Sequence, residues 1–185
     1  MLTDALTNFV APNSGGVSLV AALGVNFPVG NVFDIAGVGV GQAPTAWFGQ
    51  AVASGALFGA DMGIPDGRPE FYVAIGTAAA GTGAQLNLQF QLAPDTGSAG
   101  NYQPGTWQTV AETGYLTVAQ LTAGQTIMRF PWLPAFPANL NPRFARLYAL
   151  ISAAAAFTAG TIAVATLTQG RDDLAIKYQR KNYTV

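Results

Sequence analysis

Three carboxylates crowd one stretch of the chain: Asp61, Asp66 and Glu70 fall within ten residues. Such a group could hold a calcium ion or supply the acid and base of a glycoside-cleaving pair. Gly63 and Pro65 stand where a calcium loop needs oxygen-bearing side chains, so solvated loop carboxylates are the expected state. Asp172 and Asp173 follow Arg171 directly, and neighbours on an extended segment point to opposite faces, which suits a turn with a salt link better than a catalytic dyad. Ser14, Ser18, Ser54, Ser98 and Ser152 have no histidine to activate them and none sits in a G-x-S-x-G elbow. A serine–lysine pair would have to use Lys177 or Lys181, both in a charged tail. Residues 37–42 (GVGVGQ) break the spacing of a dinucleotide loop and open onto Ala-Pro rather than a helix. The 185 residues include no His and no Cys, which removes the commonest general base, the commonest metal ligand, thiolate chemistry and disulfides. The expectation is a chain with no catalytic residues, no metal and no cofactor.

What remains is chemistry of contact. Half the residues are hydrophobic and 9% are charged, against about 25% in an average soluble protein. Such a chain has ample material for a core and too little charge to solvate a large free surface, so copies of itself or a partner are expected to cover part of it. The charge is also unevenly placed. Residues 1–128 carry one basic and seven acidic residues, net −6, while residues 129–185 carry seven basic and two acidic, net +5. Either the fold intermixes these charges or a basic tail meets an acidic surface on a neighbour. Arg171, Lys177, Arg180 and Lys181 are the tail's candidate contacts. The tail's basic and aromatic residues make a small version of a nucleic-acid patch, but a pI of about 5.1 argues for a protein partner and against nucleic acid.

The elements that must present these residues read as strands. With 22 Gly and 11 Pro, uninterrupted segments rarely exceed about ten residues, which suits strands and starves helices. Residues 85–92 are the clearest: Leu86, Leu88, Phe90 and Leu92 alternate with Gln85, Asn87, Gln89 and Gln91. Further strands are expected at 70–76, 106–113, 146–152 and 161–168, with others at 31–35, 17–25 and 174–178. Residues 116–121 and 153–157 invite a helix, although the latter equally fits a hairpin. Residues 147–167 carry no charge for 21 positions, long enough for a bilayer, but Ser152, Thr158, Gly160, Thr161 and Thr166 favour two strands around a turn. No membrane association is expected. The start of the chain lacks a basic segment followed by an apolar one, so no secretory signal is expected either.

The resulting expectation is an all-β fold, an antiparallel jelly roll or β-sandwich of about eight to ten strands. Residues 1–16 are read as an N-terminal arm, 17–170 as the jelly-roll domain and 171–185 as a basic C-terminal tail. Leu2, Leu6 and Phe9 are the arm's candidate contacts. The Pro-rich loop 130–142 either caps the core or presents Trp132 and Phe136 to a partner.

An ordered series of segments resembles the jelly-roll capsid cement (decoration) proteins of tailed bacteriophages. The series comprises 69–75 (PEFYVAI), 84–92 (AQLNLQFQL), 106–114 (TWQTVAETG), 116–124, a strand at 126–131 (TIMRFP), and a hairpin running from 143–150 (RFARLYAL) through 157–162 to 169–173 (QGRDD). It covers roughly 115 residues, while residues 17–60 are longer and richer in Gly and Ala than the family pattern. The resemblance implies a structural virion protein on the outer capsid surface, made in the host cytoplasm. It would contact the major capsid protein and associate with itself as a dimer or trimer at a symmetry axis. A carbohydrate-binding β-sandwich of a phage fibre or secreted protein is the alternative, and it requires exposed aromatic residues in a row, for which Trp47, Trp107 and Trp132 are candidates.

Overall fold

The computed structural model describes residues 8–10, 15–21, 23–34, 46–47, 50–51, 69–98, 103–131, 137 and 139–169. They form β1 (Asn8–Val10), β2 (Val17–Ser18), β3 (Phe27–Asp34), β4 (Ala46–Trp47), β5 (Gln50–Ala51), β6 (Pro69–Ile75), β7 (Gln85–Ala93), β8 (Gln108–Thr117), β9 (Thr126–Pro131), β10 (Phe144–Ile151) and β11 (Thr161–Gln169). The one helical element among the described residues is a single 3-10 turn, Val118–Gln120.

Period-two alternation sorts these strands into two layers. In β10, Ala145, Leu147, Ala149 and Ile151 are buried while Arg146, Tyr148 and Leu150 face outward. One sheet has the order β1–β11–β6–β9, with β2 also paired to β11; the other has the order β3–β10–β7–β8. A separate two-stranded ribbon joins β4 and β5. The pairings are nested: β7 with β8, β6 with β9, β3 with β10, and β1 and β2 with β11, all antiparallel. A chain doubled back at the β7–β8 connection and then wrapped across two layers has the topology of a jelly roll, and the fold is therefore an all-β sandwich of that kind.

Five phenylalanines join the layers. Phe9 of β1 meets Phe71 of β6 edge-on at 5.2 Å, Phe33 of β3 at 5.8 Å and Phe90 of β7 at 6.2 Å. Phe71 and Phe90 pack at 4.9 Å, and Phe130 of β9 lies 5.1 Å from each of them. Rings from both sheets thus interlock, each pair adding about 0.5–1.5 kcal/mol beyond the area it buries. Gly30 lets β1 come this close. Its φ is +74°, and a Cβ there would overlap the carbonyl oxygen of Phe9.

Several elements differ from the sequence reading. Residues 8–10 form a strand of the domain, paired with Ala165 and Thr166, where an arm was expected. The strand expected at 17–25 stops at Ser18; Leu19 still donates its N–H to Gly160 O at 3.0 Å, and the chain then leaves the sheet. Residues 116–121 split between the end of β8 and the 3-10 turn, because Thr117 still pairs with Gln85. Strands β10 and β11 sit in different sheets, so the segment expected as a hairpin is a crossover between layers. Its connection is tied down by Thr158 N–H donating to Ala80 O at 2.8 Å and by Phe157, which is fully buried. The apolar run 147–167 therefore lies in two strands and their link, and no helix among the described residues is long and apolar enough to cross a membrane. The strand expected at 174–178 and the tail 171–185 lie outside the described residues.

Two substitutions test the closure of the sandwich. Phe9→Ala is expected to lower unfolding stability by about 3–5 kcal/mol, as for other large core truncations. Gly30→Ala is expected to cost about 2 kcal/mol or more through left-handed backbone strain and the clash with Phe9. Urea unfolding of the full chain measures both, and stabilities equal to that of the parent would show that β1 does not close the core.

Candidate functional site

The outward face of the β3–β10–β7–β8 sheet carries the densest polar constellation among the described residues. Strand β7 supplies Asn87, Gln89 and Gln91 at alternate positions. Register places Arg146 of β10 beside Gln91, Tyr148 beside Gln89, and Glu112 of β8 on the other side of Gln89. The alternation that buries one face of each strand therefore gathers these groups on the opposite face.

Hydrogen bonds link them into one chain. Asn87 Nδ2 and Gln89 Nε2 both donate to Glu112 Oε2, at 3.0 and 3.1 Å. Gln91 Nε2 donates to Gln89 Oε1 at 2.9 Å and to Thr109 Oγ1 at 3.3 Å, and Arg146 Nε donates to Gln91 Oε1 at 2.8 Å. The guanidinium carbon of Arg146 lies 4.3 Å from the ring centre of Trp107 and 4.4 Å from that of Tyr148. Two of these amides are covered: Asn87 is 6% exposed and Gln91 8%, with Glu112, Thr109 and Arg146 of the flanking strands bonded to them.

Electrostatics follow from these contacts. The amides of Asn87 and, next, Gln89 hold the Glu112 carboxyl below the usual glutamate range against a smaller opposing effect of burial. Burial draws the Arg146 guanidinium down from its ordinary value, with Tyr148 acting in the opposite sense. The carboxylate and the guanidinium do not touch; neutral amides separate them. An arrangement of aromatic rings, amides that both donate and accept, and a half-buried cation can bind and orient a polar ligand. It lacks a nucleophile with an adjacent base.

A second polar cluster is structural. Burial pushes the Asp95 carboxyl up, but the N–H groups of Gly97 and Gln103, which donate to Oδ1 at 2.8 and 3.0 Å, together with Arg143, carry it below its ordinary value. Arg143 Nη1 reaches Asp95 Oδ2 at 3.4 Å, tying the β7–β8 connection to the start of β10.

The residues singled out from sequence fare unevenly. Phe9, expected at a partner contact, is 1% exposed inside its own chain, since pairing with β11 turns its ring between the sheets. Leu2, Leu6, Trp132, Phe136, Arg171, Lys177, Arg180 and Lys181 lie outside the described residues. Of the loop 130–142, Phe130 and Leu140 pack into the core. Glu70, expected as a solvated loop carboxylate, lies in β6 and forms a salt bridge with Arg129 on the neighbouring strand, at 2.5 Å, while Asp61 and Asp66 lie outside the described residues. No cluster of metal-ligating residues is found among the described residues. Trp107 is half-buried beside Arg146, while Trp132 and the side chain of Trp47 lie outside the description. Arg146, Tyr148 and Glu112 were missed by sequence reasoning, although the period-two pattern of β10 carries Arg146 and Tyr148 to the face that the β7 amides share. No protein-family model and no curated protein sequence matches the chain.

Glu112 gives this network a pH dependence. Its pKa is depressed in the folded state, so its contribution to stability is present above the unfolded glutamate value and is lost as pH falls through the folded value. Urea midpoints measured at about pH 7 and about pH 3 are expected to differ less in Glu112→Gln than in the parent. An unchanged difference would show that the network does not bind the charged carboxylate preferentially.

Proposed function

We propose that this chain is a structural protein of a phage virion that binds the outer surface of the capsid and associates with copies of itself and with the major capsid protein. The observation that carries this reading is a set of exposed large apolar side chains in and before the edge strand β3. Val20, Leu23 and Val25, 54%, 58% and 45% exposed, lie in the segment entering β3, and Val32, 48% exposed, lies within that edge strand. Burying them against a neighbour would stabilise contact by roughly 25 cal/mol per Å² of apolar surface. In a shell each weak contact is repeated many times, so modest affinity per copy suffices for firm attachment.

The low charge of the whole chain supports the same reading, since copies with a formal net charge of −1 repel one another little.

Purified particles of the encoding phage are expected to contain the chain in many copies, and particles that lack it to release DNA at lower temperature. Light scattering coupled to size exclusion is expected to show a dimer or trimer of the full chain. The double substitution Leu23→Glu and Val32→Glu is expected to shift it to monomer with the β-sheet circular dichroism unchanged. Absence of the chain from purified particles would overturn the capsid role.

A further inference from the structure

Arg146 is held in a way that general packing does not require. Its guanidinium rests against Trp107 and Tyr148, and its Nε is engaged by Gln91. Among the described residues no carboxylate pairs with it; Glu112, on the same face, accepts at Oε2 from the amides of Asn87 and Gln89. The Nη groups make no hydrogen bond within the described residues, so a cation fixed by three neighbours retains donors in the fork geometry that matches a carboxylate.

The rest of the face limits what that carboxylate is attached to. Beside Arg146, Gln91, Gln89 and Thr109 hydrogen-bond one another, and Gln91, 8% exposed, has both amide hydrogens and its oxygen engaged; Gln89 keeps one amide hydrogen and Glu112 keeps Oε1 without a hydrogen bond among the described residues. Beyond them Tyr115, paired with Asn87, offers an aromatic ring that is 55% exposed. Gln91 and Asn87 are four residues apart on β7, and Arg146 and Tyr115 flank that strand on opposite sides, so the strip between them is about 16 Å long, enough for more than one sugar ring. A chain of hydroxyl-bearing rings with a carboxylate at one end can set the carboxylate on Arg146, hydroxyls on Gln89 and on Glu112 Oε1, and a ring face on Tyr115.

We infer that the outward face of the β3–β10–β7–β8 sheet binds an acidic oligosaccharide, its carboxylate on Arg146 and its sugar rings along Gln91 and Gln89 toward Tyr115. This inference does not rest on the capsid role: Arg146, Gln89 and Tyr115 lie on β10, β7 and β8, whereas Val20, Leu23 and Val25 precede β3 and Val32 lies on β3 itself.

The test is a proton–nitrogen NMR titration of the full chain with trigalacturonate and with its fully methyl-esterified form, in which neutral methyl esters replace the three carboxylates. Trigalacturonate is expected to shift the Trp107 indole, the Arg146 Nε–H and the side-chain amides of Gln89 and Gln91. The ester is expected to bind about ten- to a hundredfold more weakly, as loss of a charge-assisted contact implies. Arg146→Lys, which keeps the charge but loses the fork, is expected to weaken binding about tenfold, and the exposed Tyr115→Ala to weaken it severalfold while leaving the rest of the spectrum in place. The inference is overturned if neither oligomer shifts these signals, if the ester binds as tightly as the acid, or if a short polyglutamate peptide binds this face more tightly than trigalacturonate.

Discussion

The ring of Phe9 holds the two sheets in one piece. It belongs to a three-residue strand on the edge of one sheet, yet it touches Phe33 and Phe90 of the other as well as Phe71 of its own. For it to do so, the β1 backbone must pass against β3, and Gly30 is the residue that leaves room for it. Closure at this edge sets the spacing of the layers, and with it the depth to which Phe71, Phe90 and Phe130 interlock. The partners of Phe9 come from β3, β6 and β7, and its backbone pairs with β11, so contacts that are remote in sequence must form together for any of them to be firm.

The nested pairing has a second consequence. Because β10 lies between β3 and β7, its outward residues are flanked on both sides, and Arg146 can be covered without entering the core. On β7 the same crowding buries Asn87 and Gln91, which would be costly for polar groups unless each found partners. They do, through Glu112, Thr109 and Arg146. The face is therefore a fixed polar surface rather than a set of independent solvated side chains, and its geometry is inherited from strand register.

How much of this could be read from the sequence depended on distance along the chain. Strand β7 was legible because its alternation is local and complete over eight residues, and β6, β10 and β11 followed from β-branched and aromatic runs between turn residues. Phe9 was not, since an apolar residue beside a turn-rich segment reads the same whether it anchors a partner or plugs a core. The pairing that decides the matter lies in β11, more than 150 residues away along the chain. Residues 116–121 invited a helix because propensity is local; Leu116 and Thr117 instead continue β8 through their pairing with Leu86 and Gln85, and residues 118–120 alone take a helical turn. The site was half legible: the β7 amides announce a polar face, but Trp107, Glu112 and Arg146 join it only through register.

The edges of the sandwich limit how such a chain can meet its neighbours. An open edge strand invites pairing with another chain unless something interrupts it. On β8 the register shifts between Asn87 and Gln89 and again between Phe90 and Gln91, and β3 shifts against β10 between Ala145 and Leu147. Pro28 removes one donor from β3, and Pro131 ends β9. Bulges and prolines of this kind bend and blunt the edges against continuous strand addition. A chain with few charges to keep it apart from its copies thus discourages open-ended sheet growth through its backbone. Contact through side chains remains, on the apolar rim near β3 and on the polar face around Arg146, and such contact can be specific without being self-propagating.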